Sequence, residues 1–367
     1  MSRREVTVAV GEGYRVVVEG GALAEIGRLV AGATPTRRVV VVTNPTVAAL
    51  YADSVRTALE TELGGGHAVV VVEIPDGEQF KTLATLEPIY DAVLDGGADR
   101  EVVVVALGGG VVGDVAGFAA ATVLRGVRLV QVPTTLLAQV DSSVGGKTGV
   151  NRSQGKNLVG AFHQPALVVA DPVVLASLPD REYRAGLAEV VKYGVILDRA
   201  LFAKLEDEAA ALAARDVAVL TDVVARSVEL KAAVVVEDER EGGLRRILNF
   251  GHTVGHALEK LTGYSQLLHG EAVAIGMAVA MRLSAGRGAA TVADADRVAT
   301  LLDRLDLPTE IPAGIDAAAI QEAVGFDKKR TGETVAFIVA EGIGRCRVEA
   351  LAPAEIGAAM VAEGERP

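Results

Sequence analysis

Four short, nearly unbroken runs of branched apolar residues punctuate the first part of the chain: RRVVVVT (37–43), HAVVVVEI (67–74), EVVVVALGG (101–109) and RLVQVP (128–133). A strand with one wet face alternates apolar and polar positions. A run that is apolar at consecutive positions has nonpolar neighbours on both faces, as in a parallel strand covered by helices on each side. Between the runs, PTVAALYADSVRTALETEL (45–63) and TLATLEPIYDAVLDGG (82–97) carry apolar residues at helical spacing. The order is β-α-β-α, which predicts an open α/β sheet that takes ligands near its strand ends.

After about residue 178 the texture changes. YRAGLAEVVKYGVILDRALFAKLEDEAAALAARD and most of the remaining chain are Ala- and Leu-rich helical sequence. SLPDREY (177–183), with Pro179 and its charges, suits a connection. The reading is therefore an α/β domain over 1–178 and a mainly α-helical domain over 179–367, a division that a chain of 367 residues also suits. TVAFIVAEGIGRCRVEAL (334–351) predicts a small strand pair near the end. AVAIGMAVAM (272–281) is ten residues long and stops at Arg282, too short to span a bilayer, and reads as a buried helix.

Charge and cysteine usage narrow the function classes. A net charge of −12 argues against nucleic-acid and anionic-membrane partners, which select basic surfaces. It leaves room for an anionic small substrate in a locally basic pocket. Cys346 stands alone, which excludes an intrachain disulfide and a cysteine metal cluster. MSRREVTVAV lacks the apolar core of a signal peptide. Together these features lead us to expect a cytoplasmic protein.

Three stretches carry candidate chemistry. ALGGGVVGDVAGFAA (106–120) follows a strand and opens a helix, and Gly108, Gly110 and Gly113 fit G-x-G-x-x-G. Small residues there let backbone N–H groups approach a pyrophosphate at a helix N-terminus, although a tight structural turn needs the same glycines. PTTLLAQVDSSVGGKTGVN (133–151) concentrates Thr134, Thr135, Asp141, Ser142, Ser143, Lys147, Thr148 and Asn151 around two glycines, more polar groups than a structural loop requires. Its GGKT resembles the end of a P-loop, but the first glycine of that motif would fall at Asp141, so an ATPase is rejected. GKNLVGAFHQP (155–165) adds Lys156, Asn157 and His163.

The third stretch is NFGHTVGHALE (249–259). His252 and His256 sit one helical turn apart, and His269 comes next; His67 and His163 lie elsewhere. A buried histidine is commonly a hydrogen-bonded core residue, but three clustered beside Asn249, Glu259 and Glu271 point to a divalent metal. H-T-V-G-H lacks the glutamate of a zinc peptidase. Spacing leaves the third ligand open among Glu189, Glu259, Glu271 and the remaining histidine. Arg125, Lys147, Lys192, Lys231, Arg245, Lys328 and Lys329 recur near these motifs. Singly each is an ordinary surface charge; together they could hold a substrate with carboxylate and phosphate groups.

In this order ALGGGVVGDVAGFAAAT, VPTTLLAQVDSSVGGKTGVN, KNLVGAFHQP, AEVVKYG, LNFGHTVGHALE and HGEAVAIGM resemble the motif series of the 3-dehydroquinate synthases, within the sugar-phosphate cyclases. The resemblance covers about residues 40 to 330 and implies a Rossmann-like N-terminal domain, an α-helical C-terminal domain, bound NAD, one divalent metal (usually zinc, with cobalt an alternative) and a homodimer. It implies metal ligation by Glu189, His252 and His269. It implies NAD contacts from Asn44, Glu78, Lys81, Gly109, Gly110, Asp114, Thr134, Thr135 and Lys156. Substrate contacts would come from Arg125, Asp141, Lys147, Asn157, Lys192, Lys231, Arg245, Asn249 and His256, with Lys328 or Lys329 of DKK joining them and Arg125 reaching a neighbouring subunit. His256 would serve as a phosphate-side hydrogen-bonding and proton-transfer group.

The implied reaction turns 3-deoxy-D-arabino-heptulosonate 7-phosphate into 3-dehydroquinate and phosphate, a step of the shikimate pathway. It proceeds by transient oxidation, phosphate elimination, reduction, ring opening and aldol closure, with no net redox. Rivals are other cyclases, such as 2-epi-5-epi-valiolone, 2-deoxy-scyllo-inosose and aminodehydroquinate synthases, and a metal-dependent NAD alcohol dehydrogenase. Asn157, Arg245, Asn249 and DKK favour a carboxylate-bearing substrate.

Overall fold

The computed structural model describes residues 3–36, 38–64, 68–95, 97, 100–325, 330–331 and 334–361. By contact the chain divides into two compact units: Met1–Leu178 with Val217–Arg240, and Pro179–Asp216 with Glu241–Pro367.

The first unit runs β1 (Arg4–Val8), β2 (Tyr14–Val18), α1 (Ile26–Ala33), β3 (Arg38–Thr43), α2 (Pro45–Val47), α3 (Asp53–Leu63), β4 (Ala68–Glu73), α4 (Glu87–Leu94), β5 (Val102–Gly108), α5 (Gly110–Thr122), β6 (Arg128–Pro133), β7 (Lys147–Arg152), β8 (Gly155–Phe162) and β9 (Leu167–Ala170). Among the described residues seven strands form one sheet in the order β1-β2-β9-β6-β5-β3-β4. β1 is antiparallel to β2, and the remaining neighbours are parallel.

The valine runs occupy the middle of this sheet and are buried on both faces. Val40, Val42, Val104 and Ala106 pack with Ile89 and Val93 of α4 and Val115 and Phe118 of α5. Val39, Val41, Val103 and Val105, one position over, pack with Ile26 and Leu29 of α1 and Val55 and Leu59 of α3. Successive side chains of a strand point to opposite faces, so helices on both sides require apolar residues at every position.

Several elements differ from the pattern reading. The stretch 45–63 is not one helix. Asn44 caps α2, its side chain accepting from the Val47 amide at 2.9 Å, and a π turn over 48–52 separates α2 from α3. The 82–97 stretch is helical as α4 only over Glu87–Leu94, preceded by a 3-10 turn. Strands β1, β2 and β9 lie outside the four runs. So does the β7–β8 hairpin, which falls where the sequence reads as polar loop. Gly149 and Gly160 face each other there; a Cβ on Gly160 would sit 2.1 Å from the Thr148 carbonyl oxygen. The hairpin thus combines close backbone approach with one apolar face, on which Val150, Val159 and Ala161 pack against the cluster that includes α5.

The second unit contains α6 (Asp180–Ile196), α7 (Arg199–Asp207) and α8 (Ala209–Ala213). The chain then contributes α9 (Val217–Glu237) to the first unit, where Arg4 meets Asp222 at 2.7 Å, before returning. A single cut near residue 178 therefore does not separate the two units. The return supplies α10 (His252–Leu261), α11 (His269–Gly286), α12 (Val292–Arg304), α13 (Ala317–Gly325), β10 (Arg330–Thr331), β11 (Thr334–Ala340), β12 (Cys346–Leu351) and α14 (Pro353–Val361). The strand pair expected over 334–351 is present, with Val335 opposite Leu351, and β10 adds a third strand. The apolar segment 272–281 is buried throughout as the middle of α11, and no described helix is long and apolar enough to cross a membrane.

Three helices of this unit touch through backbone. A Cβ on Gly276 would lie 1.9 Å from the Gly251 carbonyl oxygen, one on Gly270 would lie 1.9 Å from that of Ala185, and one on Gly255 would lie 3.1 Å from Ala272. Gly251, at the N-terminus of α10, also has φ +78°, a left-handed conformation that glycine adopts without steric penalty. Glycine therefore sets the spacing of α6, α10 and α11. We expect Gly276→Ala to destabilise the protein by about 1–3 kcal/mol or more, because the obstacle is backbone that cannot rotate away. Gly286→Ala, on the same helix with nothing within 4 Å, should stay within about 0.5 kcal/mol of the parent. Denaturant midpoints check both; equal midpoints for the two variants would refute the seam.

Candidate active-site residues in the two units

In the first unit Asn44, Gly109 and Thr134 directly follow β3, β5 and β6, which are neighbours in the sheet. They share its carboxyl edge, where α/β sheets bind ligands. Gly109 is the N-cap of α5 and brings no side-chain cap, so first-turn amides remain available to an anion. The glycines of this turn also pack closely: a Cβ on Gly109 would lie 2.9 Å from Thr135 Cγ2, one on Gly110 3.2 Å from Ser142 Oγ, and one on Gly113 2.9 Å from Gln131 Oε1. The Thr134 amide donates to the Gly108 carbonyl at 3.0 Å, and Thr135 Oγ1 accepts from the Ala138 amide at 3.2 Å. Gly146-Lys147-Thr148 leads into strand β7 rather than a helix, so the GGKT segment lacks the geometry of a P-loop.

A hydrogen-bonded chain runs beside this edge. The buried Lys81 ammonium pairs with the Asp114 carboxylate and donates to Asn157 Oδ1 at 2.5 Å. The Asn157 amide donates to Asn151 Oδ1 at 2.8 Å, and Asn151 Nδ2 donates to Glu78 Oε1 at 2.7 Å. Burial, the larger influence, raises the Asp114 carboxyl above its usual range, and Lys81 opposes it. Glu78 and Asn151 also line a cavity of about 380 Å³ with Gln79, Thr82, Arg152 and Ser153. Four residues singled out in the sequence are thereby joined through Asn151, which spacing did not single out as a link.

Asp141 sits in a π turn over 138–142, and buried Lys231 of α9 donates to its carbonyl at 2.6 Å and its Oδ1 at 2.7 Å. Lys147 is exposed at the start of β7, and Lys156 is half-buried on β8. Arg125 is exposed on the turn after α5, where Leu124 (φ 50°) and Arg125 (φ 64°) are both left-handed. Two consecutive non-glycine residues there carry backbone strain. His163 donates from Nε2 to the Val127 carbonyl at 2.8 Å, a structural bond, and burial lowers its pKa.

In the second unit α6, α10 and α11 bring Glu189, His252 and His269 together. Glu189 is fully buried and pairs with Lys192, one turn later and equally buried. Its Oε1 lies 3.5 Å from His252 Nε2 and 3.7 Å from His269 Nε2. Tetrahedral ligands with bonds of about 2.1 Å stand about 3.4 Å apart, so these separations suit atoms around one ion. The ring orientations agree. His252 Nδ1 donates to the Phe250 carbonyl at 3.0 Å and His269 Nδ1 donates to Glu259 Oε2 at 3.3 Å, turning both Nε2 atoms toward Glu189.

A second set, His256, Glu259 and His269, also has its ligand atoms within 4.8 Å of one another, but His256 is exposed. Glu271, another sequence candidate, is occupied elsewhere: it binds Arg181 at 2.7 and 2.8 Å and accepts from the Leu268 amide. Arg245 is buried in the turn before α10, and Asn249 Nδ2 donates to Glu241 Oε1 at 2.8 Å. Lys328, Lys329 and His67 lie outside the described residues.

The two histidines of the buried set differ in charge. Burial holds His252 well below its ordinary pKa, and the Lys192 ammonium and neighbouring imidazoles add to this, so it is neutral and ready to ligate. For His269 enclosure again opposes the proton, but Glu189 and Glu259 outweigh it and take the pKa up to about 9.

Two family models match end to end: 3-dehydroquinate synthase N-terminal over residues 71–185 and 3-dehydroquinate synthase C-terminal over 186–330. A 3-dehydroquinate synthase of Pelobacter propionicus is 51% identical over 344 residues, covering 94% of this chain and 95% of that protein. Among solved structures, 2-epi-5-epi-valiolone synthase from Streptomyces hygroscopicus, with NAD+ and Zn2+ bound, is 31% identical with a TM-score of 0.85, covering 100% of this chain and 99% of that one. A 2-deoxy-scyllo-inosose synthase complexed with carbaglucose-6-phosphate, NAD+ and Co2+ is 26% identical with a TM-score of 0.87, covering 98% and 99%.

His269 belongs to both candidate sets, so His252 and His256 discriminate between them. Occupation of the buried set predicts that His252→Ala loses stoichiometric zinc and His256→Ala keeps it, read by metal analysis of the purified variants. The reverse result assigns the ion to the outer set. An ion on His269 Nε2 must also displace the proton held there below about pH 9. Zinc uptake near neutral pH should release a proton, and apparent affinity should rise with pH by up to roughly tenfold per unit, levelling off near that value. Calorimetry in buffers of different ionisation enthalpy reads the release; a buffer-independent heat contradicts it.

Proposed function

Since the chain belongs to the 3-dehydroquinate synthase family, we propose that it converts 3-deoxy-D-arabino-heptulosonate 7-phosphate into 3-dehydroquinate and inorganic phosphate, using NAD and one divalent metal. The carrying observation is 51% identity over 94% of the chain to a 3-dehydroquinate synthase. Two cyclase neighbours have NAD+ with Zn2+ or Co2+ in their structures. We take zinc as the expected ion and cobalt as an alternative.

In this reading Gly109 and Gly110 offer backbone N–H groups to the dinucleotide pyrophosphate, flanked by Asn44, Thr134 and Thr135 at the strand ends. Glu78, Lys81, Asp114 and Lys156 complete the NAD contacts. Glu189, His252 and His269 hold the metal. When bound, NAD supplies reversible oxidation and the metal supplies Lewis-acid stabilisation of negative charge on oxygen. Lys147, Lys192, Lys231 and Arg245, with Asn157, Asn249 and one lysine of DKK, hold the carboxylate and phosphate ends of the substrate. Lys192 has a second duty, because its ammonium offsets the buried Glu189 carboxylate. Asp141 orients Lys231 through two hydrogen bonds. His256, exposed on α10, serves the leaving phosphate as hydrogen-bond and proton-transfer group.

The strained, exposed turn carrying Arg125 supports its reach into a neighbouring copy, and hence a homodimer. A monomer by light scattering would remove that part of the reading. We place the enzyme in the cytoplasm, in line with its single cysteine.

A stoichiometric assay tests the function. With the heptulosonate phosphate and catalytic NAD, phosphate should be released in many-fold excess over NAD without accumulation of NADH. Sustained NADH formation without phosphate release would make the chain a dehydrogenase instead.

A further inference from the structure

We infer that Glu259 is a positioning residue for the metal site, holding His269 through Nδ1 so that Nε2 is the ring nitrogen presented beside Glu189 and His252. The inference rests on the metal site proposed above and adds a residue to it.

Positions 252, 256 and 259 succeed each other along one face of α10, since four- and three-residue steps return to the same side of a helix. Glu259 is therefore carried past the start of α11, where His269 is the first residue. Its carboxylate is buried, and a charge removed from water is tolerated where a donor meets it. His269 Nδ1 is such a donor at 3.3 Å, at the long end of the hydrogen-bond range. The backbone around Glu259 is also tied down, its carbonyl accepting from the Tyr264 amide at 2.8 Å and the Thr262 hydroxyl at 3.3 Å.

The two imidazoles are thus oriented by different means. His252 is turned by a neutral carbonyl, that of Phe250, and His269 by a carboxylate. A carboxylate on the far ring nitrogen fixes the tautomer and makes the near nitrogen a stronger donor to a cation, and losing such a partner weakens metal binding by about 10–100-fold. In the competing outer set Glu259 would ligate the ion directly.

Chelator competition with zinc, and the visible absorption of the cobalt-loaded protein, distinguish these roles. Glu259→Gln keeps the shape and an accepting oxygen but removes the charge. It should still bind one equivalent of zinc, with affinity about 10–100-fold below the parent, and should shift the cobalt absorption bands. A merely structural role would instead lower the unfolding temperature while leaving the zinc affinity and the cobalt bands of the folded protein unchanged. If Glu259→Gln does not fold, Glu259→Asp takes its place, since the shorter side chain withdraws the carboxylate from Nδ1 and should weaken binding likewise. Parent-like zinc affinity in the variant, with His252→Ala having lost the metal, overturns the inference and leaves the site standing. Loss of stoichiometric metal from both Glu259→Gln and His256→Ala, with His252→Ala retaining it, overturns the site itself and makes Glu259 a ligand.

Discussion

The chemistry of the second unit depends on how closely three helices can approach. Glu189, His252 and His269 come from α6, α10 and α11, so the point where they meet is set by how those three helices pack. Contact through Gly251, Gly255, Gly270 and Gly276 removes the Cβ atoms that would hold the helices apart. The neighbours of the two histidines perturb them in opposite directions. His252 is enclosed beside an ammonium and stays neutral; His269 is enclosed between two carboxylates and holds a proton. Burial penalises charge in both cases, and the sign of the neighbours decides the outcome.

The first unit solves a different problem with a different device. Its sheet is covered by helices on both faces, and the candidate residues Asn44, Gly109 and Thr134 sit where parallel strands end together. Close packing again falls to glycine around α5, and here it accompanies a helix start that no side chain caps. The polar chain from Glu78 through Asn151, Asn157 and Lys81 to Asp114 then locks the β7–β8 hairpin to the segment after β4. Buried polar groups of this kind are stabilising only when their partners are present, so the network couples local folding to the integrity of the edge.

Legibility in the sequence followed the strength of the physical signal. The central strands were readable because burial on both faces demands valine at consecutive positions. β1 and β2 are five residues each with charges at Arg4, Glu5 and Arg15, and β9 is four residues long, so their signals are short, although β1 alternates and β2 holds three consecutive valines; β7–β8 mixes charged, glycine and apolar positions. The stretch 45–63 keeps helical spacing across a π turn, which displaces the backbone without erasing the periodicity. In the candidate site, clustering of three histidines is visible in the sequence, but the carboxylate that meets His252 and His269 is not: Glu189 is distant along the chain and arrives by tertiary packing. The motif resemblance names Glu189, whereas spacing alone makes Glu271 equally eligible; in the structure Arg181 occupies Glu271. Asn151 was visible as a polar residue in a dense motif, yet its partners are set by a hairpin the pattern did not predict.

The excursion of α9 has a bearing on how such a chain can be taken apart. The backbone crosses between the two units three times, after residues 178, 216 and 240, so neither unit is one continuous stretch. A fragment ending near 178 would carry the sheet but leave behind the helix that supplies Lys231 to Asp141 and Asp222 to Arg4. Exchange of whole units between related proteins therefore needs matched breakpoints on both sides of α9. Gene fusions that join a front half to a foreign back half would have to keep this one helix in register with a surface encoded far upstream.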